Sequence, residues 1–216
     1  NWKQLRKIIN KSFTGDRKDK LNELYDHLEE RMATMPASSK THHHNCFPGG
    51  YVDHVLRVIK FAMMTNELWT EMGVTVNYTQ EELIFAALNH DLGKVGTLEE
   101  ECYIPQTSAW HRDRGELYTF NTKNPFGTVP DRSLFILQQK GITISQNEFL
   151  AIKLHDGLYE ESNRSYFMSN FASSKLRTAL PYILHHADMA ASRIEYEHWA
   201  LANSPTTIDP RIDTRP

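Results

Sequence analysis

Leu83-Ile84-Phe85-Ala86-Ala87-Leu88-Asn89-His90-Asp91-Leu92-Gly93-Lys94 decides how this chain folds. A run that is apolar on nearly every face is the pattern of a central, buried helix, and this one ends in a histidine and an aspartate. Just ahead of it, Thr79-Gln80-Glu81-Glu82 has the character of a helix start, with Thr79 as N-cap and Glu82 at the third position of a capping box. An adjacent imidazole and carboxylate offer a neutral nitrogen and an anionic oxygen, a pair that suits a divalent cation of intermediate softness. The first expectation is therefore a hydrolytic metal site at the end of a buried helix.

Outward from that helix, the spacing of Val52, Val55, Leu56, Ile59, Ala62, Met63, Trp69 and Met72 predicts a long core-facing helix from Tyr51 that stops at Gly73. Trp2, Leu5, Ile8 and Ile9 form one shorter apolar face, and Leu21, Leu24, Tyr25, Leu28 and Met32 form another. Pro36 to Lys40 and Pro48-Gly49-Gly50 break the pattern on either side of His42-His43-His44, which places the triple histidine in a loop. Residues 98–130 lack helical periodicity and read as an excursion with a short hairpin. Asp131 is the expected cap of a helix ending at Gly141, and Ser145 with Glu148 opens a further helix that ends at His155. The last long helix is expected over Leu176 to Trp199, interrupted or kinked at Pro181, with a fraying tail from Asn203.

With 216 residues, 40% hydrophobic and 24% charged, the chain is long enough for one domain with a real core. The expected division is an N-terminal helical extension over 1–45 packed on a core domain over 46–202, followed by a tail over 203–216. A formal charge of −3 provides no basic field for tight non-specific binding of nucleic acid. Cys46 and Cys102 make neither a disulfide framework nor a zinc ribbon. With no membrane-length apolar stretch and no secretory-signal order at the start, a cytoplasmic protein without a membrane partner is expected.

Four polar clusters fall at ends or faces of these helices: His54, His90 with Asp91, His155, and His185 with Asp188. Burying such groups is costly unless they are paired or bind metal, and one shared site would account for all of them. At 100° per residue, His185 lies roughly 60° from Asp188 around the helix and His186 roughly 160° away. Only His185 can share a site with Asp188. Asp156 reads equally well as a turn residue beside Gly157, and Asp26-His27 and His198 read as solvated groups.

The order Gly49-Gly50-Tyr51-Val52-Asp53-His54, His90-Asp91-Leu92-Gly93-Lys94, His155-Asp156-Gly157, then His185 and Asp188 resembles the HD superfamily of metal-dependent phosphohydrolases, over about residues 40 to 195. The Gly-Gly form of the first motif is similar to the HD domain of bacterial 3'-to-5' exoribonucleases. Those enzymes usually carry a separate β-barrel, for which the first 45 residues here are too few. The resemblance implies an all-α helical bundle with at most a small β-hairpin. It implies metal ligation by His54, His90, Asp91, His155, His185 and Asp188, with Asp91 bridging two ions. Such nitrogen-rich sites suit manganese, iron, cobalt, nickel or zinc, and the nucleophile is a metal-activated water. With a single ion, His155 or His185 becomes a proton donor to the leaving oxygen.

A phosphate substrate also needs cations beside the metal. Lys94 is read as catalytic with Asp91 and His155, within reach of a phosphoryl oxygen; its other reading is a helix-terminal lysine facing water. Arg112 and Arg114, beside Trp110, read either as a phosphate-gripping lid or as loop groups paired with Asp113, and Arg132 divides the same way. His43 and His44 are placed at the substrate entrance. The expected function is hydrolysis of a phosphate ester or anhydride in a small nucleotide-like substrate, by a monomer or a homo-oligomer. The alternative is a 3'-to-5' exonuclease or other phosphodiesterase on single-stranded nucleic acid.

Overall fold

The computed structural model describes residues 1–169 and 171–204, so the expectation for the tail past Ser204 lies outside the described residues. In chain order the elements are α1 (Trp2–Ser12), α2 (Gly15–His27), α3 (Glu29–Thr34), α4 (Gly50–Glu71), α5 (Gln80–Asn89), β1 (Tyr103–Pro105), α6 (Ala109–Asp113), β2 (Tyr118–Phe120), α7 (Val129–Gln139), α8 (Gln146–Leu154), α9 (Arg164–Phe167) and α10 (Leu180–Asn203). The architecture is an all-α bundle with one small antiparallel hairpin, as expected.

Helix α5 is the centre of the bundle. Every residue from Leu83 to Asn89 is buried, which is what an all-round apolar run requires. Each such large side chain contributes about 1.5–3 kcal/mol by leaving water. The Thr79 hydroxyl accepts the Glu82 amide at 3.1 Å and the Glu82 carboxylate accepts the Thr79 amide at 2.8 Å, closing the capping box. Helices α4 and α10 pack along one another, and α5 contacts α4, α8 and α10. The N-terminal helices join the same core: Phe13 meets Phe85 edge-on at 6.0 Å, and the Tyr25 hydroxyl donates to the Leu88 carbonyl at 3.2 Å.

Helix α7 crosses the tight turn Leu92–Val95 that follows α5. The approach is close because Gly93 has no side chain; a Cβ there would overlap the Val129 carbonyl. Instead the Gly93 amide donates to Ser133 Oγ at 2.7 Å, and Ser133 donates to the His90 carbonyl at 2.9 Å. The end of the central helix is thereby held from outside.

Several boundaries differ from expectation. The second N-terminal face is two helices, because Leu28 (φ −101°, ψ 6°) leaves helical geometry between α2 and α3. Thr128, not Asp131, is the N-cap of α7; its hydroxyl accepts the Asp131 amide, and Pro130 fits the first turn because its missing N–H is unneeded there. Pro181 does the same for α10, which begins at Leu180, so it starts the helix and does not kink it. In the 98–130 excursion, β1 pairs with β2 in the register Tyr103 with Phe120, Ile104 with Thr119 and Pro105 with Tyr118. The 39–45 loop is tied to this hairpin, since the Thr41 amide donates to the Gly115 carbonyl at 2.8 Å and the Leu117 amide to the Ser39 carbonyl at 3.1 Å.

Candidate metal centre

Four helices bring their His and Asp side chains to one buried point. His54 comes from the second turn of α4, His90 and Asp91 from the end of α5, His155 from the end of α8, and Asp188 from α10. His54 Nε2 lies 3.4 Å from Asp91 Oδ2 and 3.1 Å from Asp188 Oδ1. His90 Nε2 lies 3.4 Å from Asp91 Oδ2 and 3.9 Å from Asp188 Oδ1, and His155 Nε2 lies 3.6 Å from Asp91 Oδ1. The two oxygens of Asp91 thus face different histidines. That division is what a carboxylate shared between two cations needs.

The outer nitrogen of each ring is held by a group that can only accept. His90 Nδ1 donates to the Ala87 carbonyl at 2.8 Å, His155 Nδ1 to the Ile152 carbonyl at 2.9 Å, and His54 Nδ1 to the Glu195 carboxylate at 3.1 Å. In a neutral ring the proton therefore sits on Nδ1, and the Nε2 lone pair points to the centre. His54 Nε2 and His90 Nε2 are buried without an aligned hydrogen-bond partner, although carboxylates stand close to both. An unsatisfied buried polar atom costs about 1–3 kcal/mol. A divalent cation answers both atoms at once, so the donor set fits a metal. Groups of three ligand atoms near enough to share an ion include His54-His90-Asp188, His90-Asp91-His155 and His155-Asp156-Asp188.

The electrostatics are those of a pocket rich in carboxylate. Burial works to raise Asp91, but Lys94 and the surrounding histidines outweigh it and hold the carboxyl well below its usual value. Burial likewise works to raise Asp188, and His54 with the other histidines outweighs it and holds it low. Burial works to lower His155, and Asp91, Asp156 and Asp188 overcome it, pushing the imidazole up to about 9. His54 is raised in the same way, against burial, by Asp188, Asp91 and Glu195.

Above these groups opens a cleft of about 1570 Å³, whose floor includes Asp91, Lys94, His155, His185 and Asp188. Lys94 does not extend into bulk water at the helix end; its side chain is largely covered, lines the cleft, and places its ammonium 2.6 Å from Asp91 Oδ2. His43 and His44 line the cleft, and the His44 ring lies 4.9 Å from that of His54. Burial, with Lys94 and His54 nearby, pushes His44 down to about 2, so it stands neutral. Arg132 is on the wall, but its guanidinium donates to the Gly93 carbonyl at 3.1 Å and the Gly127 carbonyl at 3.3 Å.

The structure does not bring every expected residue to this point. Arg112 and Arg114 do not line the cleft: Arg112 donates to the Gln106 and Thr107 carbonyls, and Arg114 stacks over Trp110 at 4.6 Å. His185 reaches the cleft wall, yet it is outside the tight ligand groups; its Nδ1 donates to the His155 carbonyl at 2.8 Å. His186 turns to the far side and packs on Trp69 at 5.4 Å.

Sequence reasoning missed two contributors, Glu195 and the cleft rim, and left a third, Asp156, open. Glu195 is 2% exposed and bonds His54, and Arg57 Nε donates to it at 3.0 Å. Its spacing of seven from Asp188, two helical turns on the same face, was the available signal. Asp156 is within 3.6 Å of His155 Nε2 and faces the site as well as serving the turn. At the rim, Phe120, Phe126 and Tyr159 are exposed around the cleft mouth.

Compared with protein-family models, with curated proteins and with solved structures, the chain has no match. The class of protein defined by fold and site is a compact all-α domain whose clustered His, Asp and Glu side chains can coordinate metal ions, an arrangement compatible with hydrolase chemistry. No helix among the described residues is long and apolar enough to cross a membrane.

Proposed function

We propose that this protein is a metal-dependent phosphohydrolase of the HD type, cleaving a phosphate ester or anhydride in a nucleotide-like substrate. The observation that carries the proposal is the convergence of His54, His90, Asp91, His155 and Asp188 on one buried point at the floor of a cleft. His54, His90 and Asp188 would hold one divalent ion and His155 a second, with His185 beside it on the cleft wall, and Asp91 would be shared by both. Manganese, iron, cobalt, nickel or zinc suits these ligands. When bound, such ions acidify the attacking water and neutralise charge gathering on the phosphoryl group.

The remaining roles belong to side chains. Lys94 keeps Asp91 oriented through its ion pair and presents its other N–H groups toward a phosphoryl oxygen. His43 and His44 line the approach, and His44, uncharged, accepts hydrogen bonds as readily as it donates them. Arg132 stiffens the wall by holding two turns together, with a positive charge that favours an anionic substrate. If only one ion binds, His155 carries the proton that the leaving oxygen takes.

A second reading, a 3'-to-5' exonuclease or phosphodiesterase on single strands, is favoured by the breadth of the cleft and by Phe120, Phe126 and Tyr159 at its mouth, which offer faces on which bases stack. Metal-stripped protein reloaded with manganese or zinc and assayed for phosphate, pyrophosphate and triphosphate release across nucleotides, beside a labelled single strand, tests both. Asp91→Ala is expected to lose bound metal and hydrolysis together. Unchanged metal content and unchanged hydrolysis in that variant would sink the proposal. Strand degradation with strongly salt-dependent affinity selects the second reading over the first.

A further inference from the structure

Glu195 is a charged side chain with almost no access to water, in the third turn from the end of α10, and unlike its neighbours Arg193 and Tyr196 it does not line the cleft. A buried carboxylate costs several kcal/mol unless it is paired and hydrogen-bonded. Both of its oxygens are engaged. Oε1 accepts from Arg57 Nε at 3.0 Å, and Oε2 accepts from His54 Nδ1 at 3.1 Å. Arg57 is held in turn, since its second nitrogen donates to Asp53 Oδ2 at 3.1 Å and Asn45 donates to the same oxygen at 3.0 Å. A chain of fixed polar groups therefore runs from the 39–45 loop through α4 to the inner histidine.

The partners of the other inner rings are of a different kind. His90 and His155 rest on neutral backbone carbonyls three residues earlier, while His54 rests on a full negative charge. An anion at Nδ1 makes the opposite nitrogen a stronger donor to a metal than a carbonyl does, and it fixes which nitrogen carries the proton. We infer that Glu195 is a positioning residue, which sets the tautomer and raises the donor strength of His54 toward a divalent ion, with Arg57 fixing the carboxylate. The inference rests on the metal-site reading above.

Glu195→Gln tests it, because the amide keeps the shape and an acceptor for His54 Nδ1 but removes the charge. Zinc affinity measured by competition with a chromophoric chelator, on protein shown to be folded, is expected to fall about 10- to 100-fold, the usual cost of losing such a partner. Glu195→Asp should recover part of the loss. Independently of any variant, long-range nitrogen–proton spectra of the zinc-loaded wild-type protein should show His54 protonated at Nδ1 and zinc-shifted at Nε2. Zinc affinity unchanged within two-fold in a folded Glu195→Gln protein overturns the inference and leaves the metal reading standing, as does His54 protonated at Nε2 in the zinc-loaded wild type. A wild-type protein that takes up none of zinc, manganese, iron, cobalt and nickel overturns both.

Discussion

At the scale of single residues, the site depends on a position with no side chain. Gly157 adopts φ +56°, a left-handed conformation that other residues enter at a cost of about 1–2 kcal/mol, and a Cβ there would overlap the His185 imidazole. Glycine lets His185 lie against the turn and donate to the His155 carbonyl, so the two rings are set by one stretch of backbone. Gly157→Ala is expected to displace His185 and cut turnover by on the order of 100-fold, the loss that a displacement near 1 Å brings. Turnover within two-fold of wild type, measured on folded protein, would show that His185 need not sit there. His186 provides the contrast, since it is adjacent in sequence, packs on Trp69 on the other face, and its replacement by leucine is expected to leave turnover unchanged.

At the scale of elements, the ends of α5 and α8 are joined at their N-termini by one polar network, remote from the cleft. Arg17 donates to Glu148 at 2.6 Å and to Glu81 at 2.9 Å, and the guanidinium lies 4.2 Å from the Phe85 ring. Glu148 is fully buried, and burial pushes its carboxyl up even with Arg17 beside it. Arg17→Met leaves that group without its ion partner and is expected to destabilise the fold by about 3 kcal/mol in urea unfolding; replacing Glu148 by leucine in the same protein should recover much of it. Glu82 provides the pH dependence. Burial works to raise its carboxyl, but bonds from the Ser145 hydroxyl, the Thr79 amide and Asn147 outweigh it and hold it below the ordinary 4.5. The folded chain therefore binds this proton less tightly than the unfolded one, so the stabilisation is complete above pH 4.5 and is lost as pH falls through the lowered folded value. Thermal melts of Glu82→Gln should show a shallower decline below that pH than wild type, and parallel declines would rule out this source.

At the scale of the whole molecule, the bundle sets a floor of candidate metal ligands beneath a rim of aromatic side chains, and those two parts predict different kinetics. Phe126 is fully exposed at the mouth, where a base can stack on it. Phe126→Ala is expected to raise KM with little change in kcat, by the equivalent of about 1–3 kcal/mol per stacked base, whereas Asp91→Ala should remove turnover itself. A matching fall in kcat for Phe126→Ala would place that ring in the chemistry and not in binding. Much of this organisation was legible in the chain. The all-round apolar run from Leu83, the capping boxes at Thr79 and Ser145, and the helical spacing after Tyr51 are local signals, because a helix is built from neighbours in sequence. The rotation between His185, His186 and Asp188 followed from the same geometry, as did the choice of candidate ligands at helix ends. What sequence could not supply was distance between helices. Glu195 meeting His54 across 141 positions is an outcome of packing, whereas Lys94 turning back onto Asp91 and Arg112 spending its donors on its own loop are local contacts of side chains that the helical pattern does not orient. By itself, then, the sequence determined which long segments are helices and which polar side chains sit at their ends or on their faces. Only the tertiary structure decided which of those side chains share one buried point, because that depends on how close-packed helices cross, and no local pattern encodes a crossing.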